Sequence, residues 1–367
     1  MSRARRNRPL VRTGIILGAV ALVAAAAAVD ALRRAPSSPA TPELQETGAG
    51  ESRLAGQAGA LSGTLVFSSL AGCRVQELSL ETLTLEEPGP SLECKLWVPP
   101  RGDLAAVSLA PALGFRGSRV ALLRLGEPPE VVRVLGVVRG EPAWSERGEA
   151  LAWCTAAGDT VVLALATGAR RRLDGCRPSI APDGSVLTRP ASGLAPTLLR
   201  DGRVLLGEEE LVRPFPADSD GPLDLVGYDV HTDGLLAVVA VRFESGRRPR
   251  RLLELWRGGR LERALLLPEL SLPASSGRLG ERVEFDPTGR EIAVSYAEAG
   301  KQMVLVDLDS GTIALEPTPQ HGFAWSPDGR WFALSTGEEV RVFGPDRRDP
   351  VYVLPVGAAA IAWRGNG

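Results

Sequence analysis

A glycine recurs along this chain at the end of one short motif, and that recurrence constrains the fold more than any other feature. The clearest copy is Phe323-Ala-Trp-Ser-Pro-Asp-Gly-Arg-Trp-Phe-Ala-Leu-Ser-Thr336. Phe323–Trp325 has the pattern of a short strand. In the following turn Pro327 presets φ, Asp328 accepts bonds from nearby amides, and Gly329 tolerates positive φ. The apolar run Trp331–Ser335 comes next, so the motif encodes a β-hairpin.

Related segments are Val283-Glu-Phe-Asp-Pro-Thr-Gly-Arg-Glu-Ile-Ala-Val-Ser295, Pro142-Ala-Trp-Ser-Glu-Arg-Gly-Glu-Ala-Leu-Ala-Trp153 and Ser179-Ile-Ala-Pro-Asp-Gly-Ser-Val-Leu187. Tyr228–Ala237 and Leu96–Ala106 are more degenerate copies, and Ile361-Ala-Trp-Arg-Gly-Asn-Gly367 is half of one. The turn glycines Gly102, Gly148, Gly184, Gly234, Gly289, Gly329 and Gly367 are separated by 46, 36, 50, 55, 40 and 38 residues. Their mean, about 44, matches one four-stranded propeller blade of about 40–45 residues. Second turns such as Thr167-Gly168, Asp201-Gly202, Gly258-Gly259, Ser310-Gly311 and Pro345-Asp346 split most repeats into a β-meander. The last half copy lacks its second strand, and Thr64–Ser69 is a strand lacking its first. Pairing the two would close a ring and remove the open sheet edge. The expectation is an all-β, seven-bladed β-propeller over 62–367. Six blades is the alternative, since the long spacings conceal loops.

The Trp-Ser-Pro-Asp-Gly-Arg segment followed by an Ala-containing strand resembles the WD-repeat-like propeller motif of the TolB family. The resemblance covers about residues 62–367, with one strong copy, two good ones and the rest degenerate. It implies a β-propeller used as an extracytoplasmic scaffold or as the non-catalytic propeller of an enzyme, and no single activity. Unlike TolB itself, the chain shows no α/β pattern ahead of its first blade, so the resemblance does not carry a role in the Tol system.

Arg3, Arg5, Arg6, Arg8 and Arg12 precede Gly14–Val29, sixteen residues without a charge. A spanning helix takes about 20 apolar residues, and flanking basic residues stay on the cytoplasmic side. We therefore expect a basic cytoplasmic N-terminus at 1–12, a transmembrane signal-anchor at 13–32, a flexible stalk at 33–61 and an extracytoplasmic propeller beyond it. The run Ala24–Ala28 offers small-residue cleavage sites, so a cleaved leader and a secreted protein is the alternative. The stalk is rich in Pro, Ser, Gly and Ala and has few large apolar side chains to bury.

Four cysteines fit export. Cys73 and Cys94 are 21 residues apart, Cys154 and Cys176 are 22 apart, and nearest-neighbour disulfides accord with the repeat, although four cysteines allow three connectivities. With no Cys-x-x-Cys, neither a zinc ribbon nor a thioredoxin-type motif has support.

Charge excludes one class of partner. Seven of the 42 basic residues and one of the 44 acidic ones fall in 1–34, which leaves 35 against 43 and a net charge of −8 for the body. Nucleic-acid binding rests on cationic phosphate contacts, so it is not expected. The 40 Arg to two Lys bias is more readily a product of GC-rich coding.

Catalytic patterns are sparse. There is no Gly-x-Ser-x-Gly elbow, and only two histidines, His231 and His321, both read as solvated loop residues. Asp218-Ser-Asp-Gly-Pro-Leu-Asp224 has three carboxylates but lacks the twelfth-position ligand of a calcium loop. Arg101-Gly-Asp103 sits in a repeat turn. Arg170–Arg172, Arg247–Arg251 and Glu208–Glu210 read as exposed turns, and Trp97, Trp144, Trp325 and Trp363 as packing between blades. The structural turn residues are Gly102, Gly148, Gly184, Gly234, Gly289, Asp328, Gly329 and Gly367. The expectation is a non-enzymatic module without cofactor or metal that binds a protein or cell-envelope component. An enzyme acting on glycans with carboxylates at the channel mouth is the alternative, for which two acids must converge there.

Overall fold

The structure, a computed structural model, describes residues 45–46, 61–69, 74–81, 85–86, 95–111, 117–125, 130–190, 196–216, 221–243, 249–268, 282–295, 302–316, 320–347 and 349–365. The predicted segments 1–12 and 13–32, most of the stalk, Cys73, Cys94 and Gly367 lie outside the described residues. Among those described, no helix is long and apolar enough to cross a membrane.

The strands form six antiparallel sheets. The first strand, β1 (Gln45–Glu46), falls within the expected stalk. β2 (Thr64–Ser69), β3 (Val75–Ser79) and β4 (Leu85–Glu86) share a sheet with the last strand of the chain, Ala358–Arg364. A seven-stranded sheet follows in chain order: β5 (Leu96–Trp97), β6 (Leu104–Pro111), β7 (Ser118–Arg124), β8 (Glu130–Trp144), β9 (Ala150–Thr155), β10 (Asp159–Ala164) and β11 (Arg170–Asp174). Three meanders come next. They are β12 (Cys176–Ile180) to β15 (Arg203–Leu206), with β13 (Val186–Arg189) and β14 (Leu198–Arg200) between; β16 (Leu223–Val230), β17 (Leu236–Arg242), β18 (Arg250–Arg257) and β19 (Arg260–Leu266); and β20 (Arg282–Phe285), β21 (Glu291–Ser295), β22 (Met303–Asp307) and β23 (Ile313–Glu316). In the last sheet β24 (Gly322–Trp325), β25 (Phe332–Ser335), β26 (Val340–Phe343) and β27 (Pro350–Leu354) are extended by β1, and the final strand is β28 (Ala358–Arg364).

β8 explains the long sheet. Its first part pairs with β7 up to Val138, its second with β9 from Val138 to Trp144, and the register breaks between Arg139 and Ala143. Gly140 takes a φ of 73° at that break. One strand thus ends the β5–β8 meander and starts the β8–β11 meander.

β28 pairs with β2, setting Trp363 opposite Leu65 and Ile361 opposite Phe67, so the two ends of the folded region share one sheet. The leading strands touch in succession: β28 with β5, β5 with β8, β8 with β12, β12 with β16, β16 with β20, and β24 with β28. Arg282 of β20 supplies the remaining link by donating to the Phe323 carbonyl of β24 at 3.4 Å. Successive meanders around a common centre, with their ends joined, make a β-propeller.

Apolar side chains between sheets hold the ring. Val239, Leu253, Ile292 and Val304, all without exposure, pack the β16–β19 sheet on the β20–β23 sheet. Leu65, Phe67, Trp331 and Trp363 do the same where the ends meet. Gly207 precedes a short helix, α1 (Glu208–Val212), which seats the buried Leu211 against Leu198 and Leu206. Glu208–Glu210 is therefore helix and not the turn expected from its charge, because Leu211 gives it an apolar anchor.

The repeat turns share one geometry. The amides of Gly148, Gly184, Gly234, Gly289 and Gly329 donate to the carbonyl three residues earlier at 2.9, 2.8, 2.9, 3.0 and 2.8 Å. Gly102 has a φ of 99° and the other five lie between 70° and 85°. Asp328 Oδ1 accepts from the Ser326 hydroxyl at 2.6 Å and from the Arg330 amide at 3.1 Å. Three of these glycines also face a neighbouring turn at close range. A Cβ on Gly148 would stand 2.3 Å from the Arg101 carbonyl, one on Gly289 2.5 Å from His231 Cε1, and one on Gly329 2.8 Å from Thr288 Cγ2.

Candidate functional site: the central channel

The leading strands enclose a channel of about 770 Å³. Counting back from each turn glycine identifies the residues that face it. Five positions before stand Trp97, Ala143, Ser179, Asp229, Glu284, Ala324 and Ala362, and all seven line the channel. Two residues earlier on the same strand face are Glu141, Arg177, Gly227 and Arg282, which also line it. The first ring is small or apolar except in two neighbouring repeats, where carboxylates replace alanine or serine.

Those two acids converge. Asp229 Oδ2 accepts the Phe285 amide of β20 at 2.9 Å, which brings it beside Glu284. Glu284 forms an ion pair with Arg282, and their side chains keep 30% and 42% exposure because the channel admits water. Burial, reinforced by the charge of Glu284, holds the Asp229 carboxyl up to about 7, although the Phe285 amide opposes the shift. Burial works to lower the Arg282 guanidinium, yet Glu284, Glu141 and Asp229 together outweigh it and raise it.

The other charged lining groups are largely tied into joints between sheets. Arg177, at a φ of 55°, donates to the Val226 carbonyl at 2.9 Å. Arg189 pairs with Asp224 at 2.6 Å. The Tyr228 hydroxyl donates back to the Arg177 carbonyl, and burial raises its phenol. Arg139 has no ion pair among the described residues.

Several sequence expectations gain a location. Cys154 on β9 is bonded to Cys176 on β12, so the disulfide staples two adjacent sheets at the channel wall. Trp325 and Trp363 are buried, whereas Trp97 and Trp144 are half-buried in the channel wall, with Trp144 Nε1 donating to the Trp97 carbonyl at 2.9 Å. His231 is not a solvated loop residue. Its side chain is 13% exposed, its Nδ1 lies 2.9 Å from Asp233 Oδ1, and its Nε2 lies 3.4 Å from the Pro287 carbonyl. The neighbouring turn, with glycine at 289, leaves room for the imidazole between two sheets. Arg170–Arg172 is exposed but lies on β11 and not in the expected turn, with Arg171 and Arg172 paired to Asp201 and Asp159 and Arg170 over Trp153. Of the acidic loop, Asp224 is committed to Arg189, while Asp218 and Asp220 lie outside the described residues. Asp103, in the exposed Arg101–Asp103 turn, lies 3.6 Å from Arg124. No group of three or more potential metal ligands occurs among the described residues.

Asp229, Glu284, Arg282, Glu141 and Arg139 were not picked out from the sequence. Aligning the repeats on their turn glycine would have marked Asp229 and Glu284, as the acids at a position otherwise filled by Ala, Ser or Trp.

No family model and no curated protein matches the chain. Among solved structures, it is similar to the Cps50 (Swd1) β-propeller domain of Myceliophteria thermophila, with 14% identity, 73% of this chain and 88% of that chain covered, and a TM-score of 0.49. TolB from Acinetobacter baumannii shares 16% identity over 89% of this chain and 82% of its own, with a TM-score of 0.44. A putative 6-phosphogluconolactonase from Bacteroides fragilis shares 12% over 83% and 98%, with a TM-score of 0.49.

Proposed function

We propose that this chain is a seven-bladed, non-enzymatic binding module, held outside the cytoplasm by its N-terminal segment, whose channel face captures a protein or cell-envelope component. Counting β8 in two meanders supports seven blades. The observation that carries the binding role is the use of the channel's charged groups. Asp229, Arg282, Arg177 and Arg189 each bond across a joint between sheets, which fits a rigid, shaped opening better than side chains free to move onto a substrate. The export reading rests on the basic residues and apolar run before residue 33, and the Cys154–Cys176 disulfide accords with it.

In-cell crosslinking and pulldown from the membrane fraction, with mass spectrometry of the captured proteins and of the N-terminus, tests this. A partner captured by the wild type and lost from Ala362→Trp and Arg139→Glu variants, both at the channel wall, is the expected result. Capture unchanged by both variants would sink the channel reading. An intact N-terminus would fit an anchor, a processed one a secreted protein.

The convergence of Asp229 and Glu284 favours a second reading, an extracytoplasmic hydrolase or lyase acting on glycans. Turnover of a glycan panel by the wild type, abolished in Asp229→Asn and Glu284→Gln, would replace the first reading.

A further inference from the structure

Three carboxylates act on one guanidinium in this channel. Glu284 is bonded to Arg282 directly, and Glu141 and Asp229 act on it through space. With all three acids ionised the group carries two surplus negative charges at the channel wall. Asp229 is also structural, since its carboxyl accepts the Phe285 amide and thereby joins β16 to β20.

We propose that Asp229, Glu284, Glu141 and Arg282 form a proton-operated switch, in which a proton on Asp229 sets the charge of the channel wall where β16 meets β20. Charged and titratable groups surround Asp229 from several elements, and after β20 Asp286 accepts the Thr288, Arg290 and Glu291 amides. On the strand of Asp229 itself Tyr228 is a buried phenol, and just past it His231, also at the channel wall, is held by Asp233 and beside the Pro287 carbonyl. From β20 come Glu284 and Arg282, and from β8 Glu141 through Arg282. From β12, Arg177 is directed to the Val226 carbonyl, and the register partner on β17 is the uncharged Ala237. Like charges sharing a site disfavour double ionisation. The carboxyl of Asp229 is held up to about 7, so the switch operates around neutral pH. Losing the proton takes the cluster from one surplus negative charge to two without breaking the Phe285 bond, because a carboxylate and a carboxyl carbonyl both accept it.

The test is a pH titration of the full chain in mild detergent with 13C-carboxyl-labelled aspartate, the Asp229 resonance being identified by its loss in Asp229→Asn. The expected result is a midpoint near 7 in the wild type and a lower one in Glu284→Gln. A wild-type midpoint near 4, or no shift on Glu284→Gln, would overturn the proposal. If Asp229→Asn does not fold, the urea midpoint of the wild type is compared with that of Glu284→Gln. The switch requires the wild type to lose stability relative to that variant between pH 5 and 7.5, and parallel curves reject it.

Discussion

Arg364 Nη2 lies 2.7 Å from Glu77 Oε2, an ion pair that spans 287 residues of sequence and joins β28 to β3 across β2. Their side chains are 19% and 6% exposed, so the pair is mostly out of water. Breaking a mostly buried pair by removing one partner costs up to about 3–5 kcal/mol. Arg364→Ala should lower the urea midpoint by up to that equivalent, whereas Glu77→Gln with Arg364→Met should recover part of it. An Arg364→Ala midpoint equal to wild type would show that ring closure does not depend on the pair.

Turn glycines separate conformational strain from close approach. Gly234 has a φ of 85° and open space around its missing Cβ, whereas Gly289 has a φ of 72° and His231 at 2.5 Å. Gly234→Ala should cost about 1 kcal/mol from backbone strain alone. Gly289→Ala should cost clearly more, and a His231→Ala background should bring it down towards the Gly234→Ala value. Thermal unfolding of the four proteins decides this, and equal losses at both glycines would refute the steric part.

The Cys154–Cys176 disulfide closes a separation of 22 residues while linking two sheets. Loop-closure entropy assigns such a bond roughly 3 kcal/mol. The Cys154→Ser, Cys176→Ser double variant should lose about that much in oxidising buffer. Non-reducing peptide mapping of the wild type should recover the 154–176 linked peptide, and two free thiols there would contradict the pairing.

Glu254 is fully buried on β18, with Oε2 accepting from Trp256 Nε1 at 3.0 Å and Oε1 bonded to nothing. Burial pushes its carboxyl up from 4.5 to about 8, against the Trp256 bond. The folded chain therefore keeps a proton that the unfolded chain releases between those values, and stability falls as pH rises through that window, then levels off. Glu254→Gln should remove that fall and leave the protein more stable at pH 8 than the wild type. A wild-type slope unchanged by the substitution would assign the pH dependence elsewhere.

β8 shows why its exposed valines are tolerated. Val131, Val132 and Val134 are 44–48% exposed on the outer part of the strand, and its pairing with β7 is interrupted by two register shifts. Such bulges twist an edge away from further pairing. A run of valines alone reads as a buried strand, so this feature was not visible without the partner strand.

The sequence by itself determined the turns, the repeat length and the joining of the ends. A tight turn is specified by four or five contiguous residues, as Ser326–Arg330 illustrates, and the half copy that begins at Ile361 needed a complementary strand that Thr64–Ser69 supplies. Only the tertiary structure decided how the repeats act on one another. Glu141, Asp229, Arg282 and Glu284 become neighbours because ring closure turns one face of each leading strand towards a common axis. His231 changes from a loop residue to a spacer because an adjacent turn comes within contact distance. Cys154 and Cys176 prove to bridge sheets instead of closing a loop within one, since the chain passes from β11 to β12 between them. Local backbone preferences are written in short stretches, whereas the electrostatics of the channel depend on distances between residues up to 143 positions apart that only closure sets.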